Sequence, residues 1–150
     1  MKAFVTGAHG FVGPYLTGHL ESKGDEGVGV DHEVDITDAD AIRARLADEL
    51  PDVVYHLAAA SHVGDSWSAP DRVVRINSEG TLNVLLASVE AGVERVVLIG
   101  SAEEYGHVSP EQIPISAALC AKAGAEMLSE RRPAAASKRY FDVIDVPRVG

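Results

Sequence analysis

A short apolar β-type run, Lys2-Ala3-Phe4-Val5, passes directly into Thr6-Gly7-Ala8-His9-Gly10-Phe11-Val12-Gly13, which carries glycines at positions 7, 10 and 13. Phe11, Val12, Tyr15, Leu16 and Leu20 then recur at helical spacing. The order strand, tight glycine turn, helix start constrains this chain more than any other feature. The first turn of a helix leaves N–H groups without internal partners, and its dipole favours negative charge. A chain of this pattern can hold a dinucleotide pyrophosphate on backbone N–H groups. In that arrangement Gly7 permits the turn, Gly10 lets the backbone approach the phosphates, and Gly13 lets the helix pack closely on the sheet. A bulky residue at position 10 is expected to collide with the pyrophosphate, and a positive φ there would add a second need for glycine. Pro14 suits the helix start, where a missing N–H costs nothing.

Glycines at such spacing also mark ordinary tight turns, so the surrounding elements matter. Gly27-Val28-Gly29-Val30 reads as a second buried strand, and Asp31 ends it about two dozen residues after the first glycine. A carboxylate there can accept hydrogen bonds from both hydroxyls of an adenosine ribose, and it repels a 2′-phosphate. The alternative for Asp31 is a surface turn residue before His32. Beside the glycine turn the ribose role is favoured, and with it NAD over NADP.

At 150 residues the chain reads as one domain, 1–150, large enough to bury a core. An apolar fraction of 46% fits a globular protein. No apolar run approaches the roughly 20 residues that span a bilayer, so no membrane is expected as a partner. The first strand starts at Lys2, which leaves no room for a leader peptide ahead of it. A formal charge of −10 argues against nucleic acid as a partner. Arg131-Arg132 and Lys138-Arg139 read as solvated helix charges. Cys120 is the only cysteine, which excludes an internal disulfide and fits a reducing, cytoplasmic location. No pair among the six histidines has zinc-type spacing with a third ligand nearby, so no metal site is expected.

Strand and helix signals alternate along the whole chain. Glu33-Val34-Asp35-Ile36 reads as a brief third strand. Thr37 is expected to cap a helix with Asp40 as its capping-box partner. Ile42, Leu46 and Leu50 fall on one face of that helix, and Pro51 stops it. Val53-Val54-Tyr55-His56-Leu57 reads as a fourth strand, apolar on both faces. A long helix is expected from about 71 to 91, burying Val74, Leu82, Leu85 and Val89 and ending at Gly92. Arg95-Val96-Val97-Leu98-Ile99 is the fifth strand. A helix over 117–130 and a strand over 141–146 complete six strands. Such alternation predicts an α/β fold: a doubly wound parallel sheet of Rossmann type that binds NAD(P).

With these elements placed, the chain resembles the extended short-chain dehydrogenase/reductase family, in its nucleotide-sugar branch. The resemblance covers residues 1–116 and rests on separate stretches. They are the Thr6-to-Gly13 turn; Asp35-Ile36; His56-Leu57-Ala58-Ala59; Asn77 with Gly80-Thr81 and Asn83-Val84-Leu85; and Ile99-Gly100-Ser101-Ala102-Glu103-Glu104-Tyr105-Gly106. Ser61-His62-Val63-Gly64-Asp65-Ser66-Trp67 and the run from Gly100 to Gly106 look most like GDP-4-keto-6-deoxymannose reductases, with GDP-mannose 4,6-dehydratases nearly as similar. The resemblance implies NAD as cofactor, with NADP less favoured. Its cofactor residues would be Gly7, His9, Gly10, Phe11, Val12 and Gly13 in the turn; Asp31, His32, Asp35 and Ile36 toward adenosine; and Leu57, Ala58, Ala59, Ser61, Asn77, Ile99, Gly100 and Lys122 along the rest. It implies a nucleotide-sugar substrate, GDP-linked, and a homodimer built from two long helices.

For catalysis the resemblance implies Ser101 on the sugar C4 oxygen, Lys122 on the nicotinamide ribose, and Glu103 in the place of the dehydratase carboxylate. For Glu103 an ordinary loop charge is as good a reading. His56 and Tyr105 are structural in the family pattern. Trp67 either lines the sugar site or packs. The family chemistry also needs a tyrosine four residues before the lysine, so that both share one helical face. Ala118 stands there, and none of the tyrosines at 15, 55, 105 and 140 has a lysine four residues on. Pro114-Ile115-Ser116 matches the loop well ahead of the catalytic helix, which places the missing tyrosine segment between Ser116 and Ala117. The run Val146-Pro147-Arg148-Val149-Gly150 echoes the stretch after strand six, and the family's smaller sugar-binding domain is expected to be absent. Three functions stay open: a nucleotide-sugar enzyme acting at C4 and represented by its cofactor domain, a catalytically inactive dinucleotide-binding module, and a structural remnant.

Overall fold

The structure is a computed structural model and describes residues 1–100 and 142–145. Its strands are β1 (Lys2–Thr6), β2 (Glu26–Val30), β3 (Val53–His56), β4 (Arg95–Leu98) and β5 (Asp142–Asp145). The helices are α1 (Gly13–Ser22), α2 (Ala39–Glu49), α3 (Val63–Ser68), α4 (Pro70–Val74) and α5 (Thr81–Glu90), with a π-helical turn, Arg75–Gly80, joining the last two. The sheet order is β2-β1-β3-β4-β5. The first four strands pair in parallel, Phe4 opposite Val28 on one side and Val54 on the other. β1 and β3 are therefore interior strands, and their middle residues, Ala3 to Val5 and Val53 to Tyr55, are apolar, as burial on both faces requires.

Alternation along β1 divides its side chains between two cores. Phe4 joins Val54 and Val96 beneath Ile42 and Leu46 of α2 and Val84 and Leu85 of α5. Ala3 and Val5 join Val53 and Val97 beneath Leu20 of α1. Helices thus cover both faces, in the layered α/β arrangement that the alternation predicts. Among the described residues no helix is long and apolar enough to cross a membrane.

Two strand expectations differ. Glu33–Ile36 is a turn and not a strand: Val34 N–H donates to Asp31 O at 3.0 Å, and Asp38 N–H to Asp35 O at 3.0 Å. These local bonds fold the segment back on itself. The strand expected last is present as β5 but runs antiparallel to β4, with Leu98 opposite Asp142. An edge strand pairs on one side only, so the rest of the sheet does not dictate its direction. Five strands, and not six, stand among the described residues. The helix expected over 117–130 lies outside them.

The helices show two further corrections. Asp38, not Thr37, caps α2, accepting the N–H groups of Asp40 and Ala41 at 3.0 and 3.1 Å. Thr37 instead gives both its N–H and its hydroxyl to Asp35 Oδ1. The long helix is interrupted by the π turn, whose wider coil shifts the phase of the buried stripe. Val84, Leu85, Ala87 and Ser88 are buried, whereas Val74 and Leu82 are exposed and Val89 is half-buried. Gly92, with φ of +72°, terminates α5 as expected.

Leu50 was assigned to the buried face of α2, yet it caps the helix end with φ of 46° and is exposed. A left-handed conformation strains any residue with a Cβ, and Pro51 follows it, so the chain cannot continue as helix. Leu50→Gly removes that strain and loses little burial. Its urea midpoint is expected to rise, equivalent to ~0.5–1 kcal/mol after the greater freedom of glycine in the unfolded chain is counted. A lower midpoint would contradict this account of the cap.

Candidate functional site

The parallel strands all point their carboxyl ends to one edge of the sheet, and the loops there enclose an open cleft of about 1500 Å³. Every described residue that the resemblance assigns to cofactor lines this cleft. They are Gly7, His9, Gly10, Phe11, Val12 and Gly13 from the turn after β1; Asp31, His32, Asp35 and Ile36 after β2; Leu57, Ala58, Ala59 and Ser61 after β3; Asn77 from the π turn; and Ile99 and Gly100 after β4. Ser101, Glu103, Tyr105, Ala118 and Lys122 lie outside the described residues, so the catalytic assignments stay with the sequence. Trp67 is 86% exposed and lies outside the cleft lining.

The glycine turn has a different steric reason at each position. Gly7 sits at φ of +68°, and a Cβ there would come within 2.8 Å of Ala58 N. At Gly13, the first residue of α1, a Cβ would fall 2.1 Å from the oxygen of Ala8, whose N–H is bonded to Val30 O at the end of β2. The helix start can lie this close to the sheet only with glycine there. Gly10 is not in the left-handed region, which corrects the positive-φ expectation. A Cβ at Gly10 would touch only Gly7 O, at 3.2 Å, and its remaining surroundings are open. Phe11, Val12 and Gly13 give their N–H groups to no acceptor among the described residues. A glycine face beside unpaired N–H groups at the start of a ten-residue helix fits a pyrophosphate.

At the end of β2, Asp31 Oδ2 accepts the His9 N–H at 2.8 Å. This bond ties the acid to the glycine turn. Its Oδ1 lies 3.3 Å from Nε2 of the exposed His32. Glu33 Oε1 accepts the Asp31 N–H at 3.0 Å, and that bond with the N–H of Glu33 itself holds the Glu33 carboxyl below its ordinary value. The Asp35 carboxyl is lowered in the same way, chiefly by the N–H and hydroxyl of Thr37.

Two of the assigned residues have side chains already engaged by the protein. Ile36 is buried, and a Cβ on Gly80 would sit 2.7 Å from its Cδ1. Its backbone lines the cleft while its oxygen accepts from Asn83 Nδ2 at 3.0 Å. Asn77 spends both ends of its amide on the backbone of Ala60. Oδ1 takes the Ala60 N–H at 2.8 Å, and Nδ2 donates to Ala60 O at 3.2 Å. Arg72, Arg75 and Ile76, which the sequence reading does not name, also line the cleft. The signal was available, because residues three and four apart ahead of Asn77 share one side of a helix.

One family model matches almost the whole of this sequence. Residues 3–145 fit the NAD dependent epimerase/dehydratase family. The chain belongs to that family. Among curated relatives of the family, the GDP-6-deoxy-D-mannose reductase of Pseudomonas aeruginosa is 37% identical over 117 residues, covering 76% of this chain and 38% of the relative. Among solved structures, UDP-glucose-4-epimerase from Stenotrophomonas maltophila with bound NAD superposes with a TM-score of 0.71 at 26% identity, over 79% of this chain and 42% of that one. The dTDP-4-dehydrorhamnose reductase of Bacillus anthracis in complex with NADP gives 0.60 at 26% identity, over 66% and 35%. The chain therefore spans well under half the length of these family members.

His56 stands behind the cleft floor, 5% exposed, with Nδ1 2.7 Å from Thr6 Oγ1 and Nε2 3.0 Å from Thr81 Oγ1. Burial alone drives its pKa down from the ordinary 6.5 to about 4. A pKa lower in the folded than in the unfolded state means that the unfolded chain takes up the proton first as pH falls. The stability contributed by neutral His56 is full above 6.5 and is lost on the way down to about 4. The carboxyls of Glu33, Asp35 and Glu49 are held below their ordinary values of 4.5, 3.8 and 4.5, so their contributions are lost further down. Urea unfolding at about pH 5 is expected to yield ~2 kcal/mol less stability than at about pH 7. Equal midpoints at those two pH values would refute the buried neutral imidazole.

Proposed function

We propose that this chain is the dinucleotide-binding part of a nucleotide-sugar enzyme that works at the sugar C4 position, and that it takes NAD(H) in preference to NADP(H). The observation that carries the reading is the open face of Gly10 beside the unpaired N–H groups of Phe11, Val12 and Gly13, with Asp31 bonded to His9 at the adenosine end. NAD would supply the hydride acceptor or donor. The glycine turn would hold the pyrophosphate, and Asp31 would accept from the ribose hydroxyls while repelling a 2′-phosphate. Nothing basic in the turn between Gly7 and Gly13 would welcome a further phosphate except the His9 side chain. Membership of the family and the likeness to a GDP-6-deoxy-D-mannose reductase support a GDP-linked sugar as substrate. Exposed Leu82 and Leu86, one turn apart on α5, support a homodimer through that helix.

Calorimetric titration of the chain with both cofactors tests this reading. NAD(H) is expected to bind more tightly than NADP(H), and Gly10→Val is expected to abolish binding while the far-ultraviolet spectrum stays unchanged. The fold should tolerate the change, because a Cβ at Gly10 meets only one backbone oxygen. Tighter binding of NADP(H), or wild-type affinity in Gly10→Val, would sink the assignment.

A second reading, a dinucleotide-binding module without turnover, is favoured by Ala118 in the place of the tyrosine ahead of Lys122. Loss of a general acid costs ~10²–10⁴-fold in rate. Reduction of a 4-keto nucleotide-sugar is expected to be absent or slowed by at least that factor, with cofactor binding retained. Ala118→Tyr puts a phenol four residues before Lys122, the spacing of the family pattern, and a gain in hydride transfer would show a site otherwise assembled. Wild-type turnover at ordinary enzyme rates would require another acid, Glu103 first.

A further inference from the structure

Along the cleft lining, five polar groups are joined by four hydrogen bonds into one chain, and their chemistry sets its direction. Thr81 has a single hydroxyl hydrogen, and Oγ1 donates it to Asn77 O at 2.8 Å. His56 Nε2, 3.0 Å from that same oxygen, is then the donor to it. A neutral imidazole protonated at Nε2 presents an acceptor at Nδ1. Thr6 Oγ1 donates to that nitrogen at 2.7 Å, and itself accepts the Ala58 N–H at 3.3 Å. The other tautomer would aim two donors at Thr6 Oγ1 and strand its hydrogen without an acceptor, in a residue with 0% exposure. An unsatisfied buried donor is costly, so the Nε2–H form is the one the site accepts.

The chain begins at Ala58 and ends on the backbone oxygen of Asn77. The Asn77 amide then clasps Ala60 through two bonds, at 2.8 and 3.2 Å. The circuit therefore closes on the strip between Ala58 and Ala60, where the loop after β3 lines the cleft. All bonds in the chain point the same way, an arrangement in which each strengthens the next.

We propose that His56 is a positioning residue of this cleft: through Thr6 and Thr81 it fixes the Ala58–Ala60 strip against the glycine turn, and dinucleotide affinity depends on the chain being unbroken. This inference rests on the dinucleotide reading above, and its test has one arm that needs no dinucleotide. Among the described residues the His56 ring hydrogen-bonds only to the hydroxyls of Thr6 and Thr81. The contact is made by threonines and backbone alone.

The first arm titrates NAD(H) into the full chain and its variants at a temperature where all are folded. Thr81→Val keeps the shape but leaves Nε2–H without an acceptor, and is expected to lower affinity about tenfold. Thr81→Ser restores the hydroxyl and is expected to recover affinity to within about twofold. Ile42→Val, in the core beneath α2, lowers the melting temperature without touching the chain, and is expected to bind as wild type. Thr81→Val binding like wild type, Thr81→Ser no better than Thr81→Val, or an equal loss in Ile42→Val would each overturn the proposal. The second arm reads nitrogen–proton correlation spectra of the cofactor-free chain near neutral pH. The His56 proton is expected on Nε2, and the Ala58 and Ala60 amide signals should move in Thr81→Val and return in Thr81→Ser. A proton on Nδ1, or unmoved amides, would overturn it. Failure of the wild-type chain to bind NAD(H) would sink the dinucleotide reading alone, and the amide signals would then decide the positioning role.

Discussion

The near-contact between Gly7 and Ala58 is the constraint on which the cleft depends. A Cβ at residue 7 would lie 2.8 Å from Ala58 N and 2.9 Å from Ala58 Cα. The turn after β1 can therefore lie on the end of β3 only if that residue is glycine, in the left-handed conformation that glycine adopts without strain. Leu57 N–H donates to Thr6 O at 3.1 Å in the same place, extending the ladder between these strands by one bond. Once the two strand ends are pressed together, the first turn of α1 has nowhere to face except the open edge of the sheet. The phosphate-sized space is a consequence of that packing.

Burial of the sheet supplies the rigidity behind this contact. Phe4, Val5 and Val54 are fully buried, and each such side chain contributes roughly 1.5–3 kcal/mol by leaving water. Thr6 and His56 continue the same strands at their carboxyl ends, where both are buried. Polar groups in that position must find partners within the protein. The two strands thus pass from an apolar interior to a polar floor within a residue or two, and the floor is as tightly specified as the core.

The features legible in the sequence are those with a strong local cause. A glycine triplet between an apolar run and a helical pattern announced the first turn. The continuous apolar runs of β1, β3 and β4 announced interior strands. All the assigned residues around the cleft except Asn77 could be gathered because they follow the ends of strands, and parallel strands place those ends together. Illegible features arise from competition between neighbours. Val34 and Ile36 have the composition of a strand, but Asp31 and Asp35 offer closer acceptors and bend the segment into turns. Val74 and Leu82 fit a helical stripe, but the π turn between them resets the phase. The roles of Asn77 and Ile36 were hidden for a related reason: residues that line a cleft by their backbone carry no mark of it in their side chains.

The charge of the molecule bears on how such a cleft can work. A chain with a formal charge of −10 offers poor long-range attraction to a doubly charged pyrophosphate. Among the described residues the arginines of the cleft are Arg72 and Arg75, and Arg75 is already held by Glu79 at 3.1 Å. The glycine turn itself contains no lysine or arginine. An anion bound there would be held by oriented N–H groups and the helix dipole, at short range and in fixed geometry. Among the described residues the ion-pair partner of the Asp31 carboxylate is the exposed His32 and no lysine or arginine, so on the proposed reading its charge would repel a further phosphate. Affinity for the pyrophosphate and discrimination at the ribose can then coexist a few ångströms apart, since one uses dipoles and the other uses charge.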